Sequence, residues 1–413
     1  MTSRPALQRL LLYSHDTYGL GHLRRNMLIA QDLLEHLRGL QVVLLSGSPV
    51  AERFERPRGL SIVALPPVVK TGVDEYGARD GRLSFSIVRR ARAAIIADVA
   101  RRFEPDVFLV DHAPQGMKGE LLPTFETLRR FSPATRIVLG LRDIVDDPLV
   151  VRRAWTEQGV LATLAAVYDR IAVYGSRDLV DVRPYGIPSA ALDRVTYCGY
   201  LGRPRDRAGT ATFSAGQPTD DFVLGAAGGG GDGAEVLLAT LRAAEGLDLS
   251  SLLVSGTLMG ADERQALEAA VAASRRGHLA EFVPGLEGLM RAARVVVTMG
   301  GYNSTLEAVA SGTPTIVVPR MWPRREQYLR ARLFASHGLL RTVDPGPGLD
   351  ARLARTLREA LAGPRAAGGA LDAEGLARLR DMLLVEAQAA QRDRIHAFTR
   401  DAVDDDLRVA VSA

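Results

Sequence analysis

The segment VVVTMGGYNSTLEAVASGTPTIVVP, residues 295–319, decides the fold class. A β-branched run ends at the glycine pair Gly300–Gly301, and a helix is predicted to begin at about Ser304. A strand, a glycine turn and a helix in this order direct backbone N–H groups and the positive end of a helix dipole toward an anion such as phosphate. Glu307, in the first turn of the predicted helix, would repel a phosphate. The ligand must therefore carry an anionic group for the backbone amides and also be compatible with the nearby carboxylate of Glu307.

Glu307 has two interpretations. Ser304 and Glu307 show the S-x-x-E spacing of a capping box, in which the glutamate bonds the N–H of the N-cap residue. Alternatively, the carboxylate accepts hydrogen bonds from hydroxyl groups of the ligand while the backbone amides bind its phosphates. The two roles are compatible with each other.

Strand, turn and helix alternate along nearly the whole chain, which indicates parallel sheets covered by helices on both faces. We predict two Rossmann-like doubly wound α/β domains that face a central cleft. The predicted boundaries are 1–201 for a first domain, 202–219 for a Gly/Pro-rich linker, 220–371 for a second domain and 372–413 for a helical tail that packs toward the first domain. The predicted strands are 9–14, 41–47, 61–66, 106–111, 136–143, 170–176 and 194–201, then 221–228, 250–256, 279–285, 294–300 and 315–319.

Composition is that of an ordinary globular protein, with 47% hydrophobic and 24% charged residues among 413. The net charge is only +4, and acidic residues are interspersed with the arginines, so no nucleic acid partner is predicted. Pairs such as Arg24–Arg25 are interpreted as solvated helix faces. A single cysteine, Cys198, and an N-terminal apolar run too short for a signal peptide favour a cytoplasmic protein. Contact with the inner face of the cell membrane is an open alternative.

The first glycine turn, SHDTYGLGHLRRN at residues 14–26, contains a G-x-G but lacks the third glycine of a dinucleotide fingerprint. Its polar side chains, His15, Asp16 and His22, are expected at the carboxyl end of the first strand. We favour His22 as a catalytic base because imidazole titrates near neutrality, with a capping or packing role as the alternative.

The second glycine turn, GAAGGGGDGAE at residues 225–235, satisfies G-x-G-x-x-G through Gly228, Gly230 and Gly233. The next strand ends in Ser255 and Gly256 rather than an acidic residue, which disfavours NAD. No Gly-Lys-Ser/Thr follows, which excludes a Walker loop. The prediction is a loop without Cβ atoms that lies close to a ligand's phosphates or sugar, and a surface loop is the alternative.

Residues 282–334, beginning FVPGLEGLM and including the opening segment, resemble the donor half of GT-B glycosyltransferases. The comparison is closest to the group that contains the N-acetylglucosaminyl transferase of peptidoglycan synthesis. The motifs SHDTYGLGHLRRN, VDHAPQGMKGEL and LGLRDIVDDP resemble a bacterial family of predicted glycosyltransferases related to that enzyme. The resemblance covers nearly the whole chain and implies a glycosyltransferase that uses a nucleoside diphosphate sugar, with UDP favoured.

The resemblance implies that 1–201 is the acceptor-side domain and 220–371 the nucleotide-sugar-binding domain, and it assigns the donor site. Pyrophosphate would lie over the glycine pair and the backbone at 303–305, Glu307 would bind the ribose, Val283 the base, Glu326 and Gln327 the sugar hydroxyls, and Arg320 the leaving diphosphate. One departure is Met299, where relatives that act on antibiotics often carry a histidine. The donor-site candidates are Gly228, Gly229, Gly230, Val283, Met290, Gly300, Gly301, Asn303, Ser304, Thr305, Glu307, Arg320, Glu326 and Gln327.

The catalytic base is predicted to be His22, followed by His112 or Asp111 and then Asp143. The acceptor-side candidates are His15, Asp16, Tyr18, Gly21, Asp111, His112, Arg142 and Asp143. Asp143, Asp146 and Asp147 lie between a strand and a proline, which is typical of a turn, so no obligatory metal and no other cofactor are predicted. The loop 66–86 is expected to border the acceptor.

Two alternatives stay open. A non-hydrolysing nucleotide-sugar epimerase would share the architecture and the nucleotide site, although its motifs fit this sequence less well. A catalytically silent partner of another transferase would bind the nucleotide sugar without chemistry, and the intact donor motif with His22 argues against it. The acceptor hydroxyl could belong to a glycan, a lipid-linked sugar or a small molecule.

Overall fold

The computed structural model describes residues 6–16, 21–72, 75–78, 83–202, 221–229, 231–363 and 371–411. It contains two parallel sheets, which confirms the predicted pair of doubly wound α/β domains. The predicted linker falls almost entirely in 203–220, outside the described residues. Among the described residues, no helix is both long and apolar enough to cross a membrane.

The first sheet has seven parallel strands in the order β3-β2-β1-β6-β7-β8-β9. Its central strands are buried along most of their length, because helices cover both faces. The strands are β1 (Arg9–Tyr13), β2 (Gln41–Ser46), β3 (Leu60–Ala64), β6 (Val107–Asp111), β7 (Arg136–Arg142), β8 (Arg170–Tyr174) and β9 (Val195–Tyr197).

The second sheet has six parallel strands in the order β12-β11-β10-β13-β14-β15. The opening segment forms β13, the turn after it and the helix α10. The strands are β10 (Phe222–Ala226), β11 (Ser250–Val254), β12 (Gly277–Ala280), β13 (Val295–Thr298), β14 (Thr315–Val317) and β15 (Arg341–Thr342).

Thirteen α-helices are described in these ranges of the chain. They are α1 (Gly21–His36), α2 (Phe85–Phe103), α3 (Leu122–Phe131), α4 (Pro148–Glu157), α5 (Val160–Ala166), α6 (Ser189–Leu192), α7 (Ala234–Glu245), α8 (Ala261–Ala273), α9 (Leu286–Ala292), α10 (Tyr302–Ser311), α11 (Glu326–Ser336), α12 (Leu349–Ala362) and α13 (Gly375–Val411).

The structure differs from the sequence prediction in three places. The predicted loop 66–86 contains an antiparallel hairpin, β4 (Val68–Gly72) with β5 (Glu75–Ala78). The strand predicted at 279–285 is instead β12, because its pairing with β11 ends at Ala280 and Gly285 takes a positive φ of 68° before α9. β15 has only two residues, too few to show a period in the sequence.

One apolar cluster spans the two domains and forms a shared core between them. Tyr302, Leu306 and Phe334 of the second domain belong to the same buried cluster as Leu10 and Leu44 of the first. The Tyr302 hydroxyl donates to the carbonyl of Tyr174 at 3.0 Å and accepts from the N–H of Leu201 at 3.3 Å. These contacts fix the N-terminal end of α10 against the first sheet.

The last helix, α13, packs on the first domain. Leu379, Leu383 and Ala387 lie in the shared core. Arg380 pairs with Asp32 of α1 at 2.7 Å, and Glu386 accepts from Arg170 of β8. The C-terminal segment thus returns to the domain that begins the chain.

Candidate active site

The cleft lies where strand order reverses in each sheet. In the first sheet β1 and β6 are neighbours although four strands separate them in the chain, and in the second β10 and β13 are neighbours. Ligands of doubly wound folds bind outside the carboxyl ends of strands at such switch points. The loops after β1 and β6 and the glycine turns after β10 and β13 occupy these positions.

His22 and Asp111 form a hydrogen-bonded pair at the switch point of the first sheet. Nδ1 of His22 lies 2.6 Å from Oδ2 of Asp111, which ends β6. Arg25 donates to both oxygens of the same carboxylate at 2.7–2.9 Å. Arg25 and Asp111 are almost completely buried, so the interpretation of Arg24–Arg25 as a solvated pair is wrong for Arg25.

The charges of this pair fix the imidazole tautomer. Although burial raises the pKa of Asp111, Arg25 and His22 together bring it down to about 2, so the carboxylate is ionised at neutral pH. An ionised carboxylate only accepts hydrogen bonds, so the 2.6 Å contact assigns the proton to Nδ1 of His22, and Nη2 of Arg25, which lies 2.9 Å from the same nitrogen, donates to the carboxylate instead. Burial lowers the pKa of His22 to about 4 against the raising effect of Asp111. At neutral pH the ring is uncharged, and Nε2 has a lone pair able to take a proton.

Two further histidines surround His22. Ring centroids lie 5.8 Å apart for His15–His22 and 5.2 Å apart for His22–His112. Burial lowers the pKa of both His15 and His112 well below the usual value, so these rings are neutral. His112 takes a left-handed backbone conformation with φ 66°, and its Nε2 lies 3.2 Å from Nη2 of Arg142.

Asp16 lies buried and Arg142 partly buried at this edge of the sheet. Ser14 and Ser46 donate their hydroxyls to Asp16, whose pKa burial raises to about 6. Burial lowers the pKa of Arg142 to about 10. Tyr18 lies outside the described residues, so its place in the cleft stays a prediction.

Asp143, the last candidate for the base, is not accessible. It is completely buried and receives two hydrogen bonds, at 2.7 and 2.8 Å, from Arg330 of α11 in the other domain. Asp146 accepts from the N–H of Arg325, and Asp147 caps α4 by accepting from Leu149. Each carboxylate therefore has a structural partner. Within the described ranges, no cluster of three or more His, Cys, Asp or Glu side chains could hold a metal ion.

Helix α10 begins two residues earlier than predicted, and this removes the capping box. Gly301 is the N-cap, so Glu307 lies in the second turn rather than at the third helical position. The hydroxyl of Ser304 donates to the Gly301 carbonyl at 3.3 Å. The N–H of Thr305 donates to the same carbonyl at 3.0 Å. This N–H is therefore not available to the pyrophosphate, contrary to the prediction. The amides of residues 302–304 precede the first helical hydrogen bond.

The glycine turns bring backbone close to backbone. Gly300 has φ 86°, and its carbonyl accepts from Arg330. A Cβ at Gly256 would lie 2.5 Å from the carbonyl oxygen of Gly228 and 2.7 Å from the backbone of Gly229, so only glycine fits there. Gly230 lies outside the described residues. The backbone of Gly228 and Gly229 thus packs against Gly256 at the second switch point.

Glu307 contacts the first domain. Nη2 of Arg24 donates to its Oε1 at 2.6 Å. The side-chain amide of Asn303 donates to the carbonyl of Gly21 at 3.1 Å. The N-terminal ends of α1 and α10 therefore meet, and His22 lies one residue from this junction.

The remaining donor candidates lie around the start of α11. Arg320 donates to Glu326 at 3.1 Å and to Asp232 at 3.3 Å, and its N–H lies 3.2 Å from Oε1 of Gln327. Glu326 is 4% exposed, and burial is the largest influence on its pKa, but Arg142, Arg320 and Arg330 together lower that pKa. It is therefore an ionised acceptor at the cleft.

At the predicted nucleobase site, Val283 is partly exposed and packs against the apolar cluster that contains Leu224 and Leu252. Met290 is completely buried among Leu224 and Leu252, so the prediction that it lines the donor site is wrong. Its apolar character reflects core packing. Phe282 is 60% exposed beside Val283 and was not predicted as a site residue.

Residues 229–367 match the family model described as the glycosyltransferase family 28 C-terminal domain. The second domain is similar to that family over these residues. The match covers the glycine loop, the turn at Gly300–Gly301, Glu307 and the Glu326–Gln327 pair. No curated protein matches the sequence.

The fold of the two domains together is that of GT-B glycosyltransferases. MurG of Acinetobacter baumannii is 12% identical with a TM-score of 0.57, covering 91% of this chain and 99% of its own. UGT73P12 of Glycyrrhiza uralensis, complexed with glycyrrhetinic acid 3-O-monoglucuronide, is 12% identical with a TM-score of 0.64, covering 97% and 99%. Os79 of O. sativa, in complex with UDP, is 16% identical with a TM-score of 0.60, covering 93% and 99%. At these identities the likeness is one of fold.

Proposed function

We propose that this protein transfers a hexose or N-acetylhexosamine from a UDP-sugar to an acceptor hydroxyl, with inversion and without an obligatory metal. The observation that carries the proposal is the His22–Asp111 pair beside the N-terminal end of α10. One side holds a neutral base oriented by a carboxylate, and the other holds free backbone amides for an anion. Glycosyl transfer from a nucleoside diphosphate needs both.

In the proposed reaction, Nε2 of His22 takes the proton of the acceptor hydroxyl. The oxygen bonds the anomeric carbon while the bond from that carbon to the diphosphate oxygen breaks, and its electron pair leaves with UDP. Asp111 stabilises the imidazolium through the bond to Nδ1. Direct attack on the face opposite the leaving group inverts the anomeric centre.

The second domain supplies the donor site in this proposal. The amides of residues 302–304 stabilise the charge that develops on the leaving diphosphate, as a helix N-terminus does for bound phosphate. Glu307 accepts from the ribose hydroxyls, and Glu326 with Gln327 accepts from the sugar. Phe282, exposed next to Val283, offers an aromatic face to the base.

Calorimetry with UDP, in EDTA and again with Mg²⁺, tests the donor site. We expect binding with equal affinity in both. Absence of heat at about millimolar UDP, or binding only with the metal, would contradict the proposal. Product analysis with radiolabelled UDP-sugars then separates transfer to an acceptor from epimerisation and from binding without chemistry.

A further inference from the structure

The bond between Arg24 and Glu307 joins the two domains at the donor site. Arg24 lies in the first turn of α1 and Glu307 in the second turn of α10, and their side chains are 35% and 18% exposed. The bond at 2.6 Å uses one of the five N–H donors of the guanidinium. The second contact, between Asn303 and Gly21, holds the two helix ends at this distance.

This bond bears on the charge conflict within α10, whose N-terminal amides suit a phosphate while Glu307 carries a negative charge. A diphosphate at the amides of 302–304 would lie about one helical turn from the carboxylate of Glu307. Two negative charges so close, in a partly buried cleft, repel each other more strongly than they would in water. A guanidinium bonded to Glu307 neutralises the negative charge of the carboxylate and so reduces this repulsion.

Two other cations near the donor site, Arg320 and Arg330, are already bound by acidic partners. Arg320 donates to Glu326 and Asp232, and Arg330 is enclosed with Asp143. Met299, next to the glycine pair, contributes no charge. Arg24 differs from these arginines because its partner is itself a donor-site carboxylate and its side chain is partly open to the cleft.

We propose that Arg24 is a diphosphate-positioning residue: it neutralises Glu307 and directs its remaining N–H groups to the diphosphate of the donor. The inference rests on the proposed function and adds to it a residue of the first domain. Glu307 can then bind the ribose while the amides of α10 bind the phosphates, although both belong to one helix.

The test compares UDP with uridine, which keeps the ribose and base but lacks the diphosphate. Affinities are measured by calorimetry for UDP and by competition for uridine. We expect Arg24→Ala to weaken UDP binding roughly tenfold or more, as expected for loss of a charge-assisted hydrogen bond, and to leave uridine binding within about threefold. Arg24→Lys keeps the charge and should recover most of the UDP affinity.

Arg380→Ala is the matched control, because it removes an ion pair to Asp32 on the same helix α1, on the side facing α13. It should change neither affinity. Equal losses for UDP and uridine in Arg24→Ala would overturn the inference, since Arg24 would then only orient Glu307 for the ribose. Unchanged affinities would make the bond a domain contact only, and tighter binding would make Arg24 a competitor of the ribose; both overturn it. Failure of the unaltered protein to bind UDP would instead contradict the proposed function.

Discussion

The two sides of the cleft are built from different chemical groups. At the edge of the first sheet the functional atoms belong to side chains held by arginines: Asp111 and His112, which are buried, and His22, which is partly buried. At the edge of the second sheet they belong mainly to the backbone around Gly300 and the start of α10. Side chains can exchange protons near neutral pH, whereas backbone amides offer fixed dipoles. The first side therefore suits proton transfer and the second suits binding of an anion.

Because the two sides of the cleft differ in this way, different kinds of substitution should abolish the function of each. Removal of one functional group should disable the first side and spare the second, because the donor amides do not depend on any imidazole. The second side has few side chains to remove, so it is disturbed by adding atoms where the backbone turns. Substitutions of these two kinds separate catalysis from donor binding.

The largest expected effect is on catalysis. His22→Ala should lower the rate of UDP release during transfer by roughly 10²- to 10⁴-fold, because the acceptor hydroxyl loses its general base. UDP affinity and the melting temperature should barely change. Near-normal turnover would contradict the assignment and pass the role to His112 or Asp111; Asp143 is enclosed by Arg330.

Asp111→Asn provides a contrast to this variant. It leaves the Arg25 guanidinium buried without its ionised partner, and breaking a buried pair costs about 3–5 kcal/mol. We therefore expect a lower melting temperature as well as slower transfer. If both variants turn over slowly but only Asp111→Asn is less stable, proton transfer is assigned to His22 and the orientation of its ring to Asp111.

The next effect is on donor binding. Gly300→Ala forces a residue with a Cβ to adopt φ 86°, and that Cβ would lie 3.0 Å from Val317 and 3.2 Å from the carbonyl of Gln327. Strain in this region costs about 1–3 kcal/mol, so a backbone shift that weakens UDP binding roughly tenfold or more is expected. Gly338→Ala is the control, since Gly338 has φ 69° with open space around it and lies at the end of α11. Equal UDP affinity in both variants would show that the turn does not position the diphosphate.

Much of the fold was predictable because parallel α/β domains produce continuous apolar runs bounded by glycine turns. The runs at Leu10–Leu12 and Val295–Val297 are completely buried central strands. The hairpin β4–β5 was missed because its sequence, VVKTG and EYGA, is short and polar, without a clear period. The two-residue β15 is defined only by its pairing with β14.

Site residues on local motifs were easier to predict than those that act through distant partners. The spacing in SHDTYGLGHLRRN placed His22 at the cleft, and the structure adds its bond to Asp111, 89 residues away. Nothing in the local sequence indicated that Arg25 would be buried by that carboxylate or that Arg24 would reach Glu307. Burial of Met290 likewise depends on how α9 packs on β10 and β11.

The smallest expected effect is on the pH dependence of folding stability. It tests whether water is excluded from the side of the cleft that contains His22, Asp111 and His112. Burial lowers the pKa of His112 well below its unfolded value of about 6.5. As the pH falls from about 7 to about 5.5, the unfolded chain binds a proton at His112 and the folded chain does not, so folded stability falls by about 1 kcal/mol from this residue. His112→Asn removes the titration, and asparagine tolerates the left-handed φ of 66°. Urea unfolding at the two pH values should show a loss of folding free energy about 1 kcal/mol smaller in the variant.

Asp16 acts in the opposite direction, because its raised pKa of about 6 favours the folded state on acidification, but it is present in both proteins and its effect cancels. Equal losses would mean that His112 takes up protons in the folded protein. Water would then enter the cleft, and the neutral His22 that the transfer mechanism requires would lose the dry surroundings that keep it neutral.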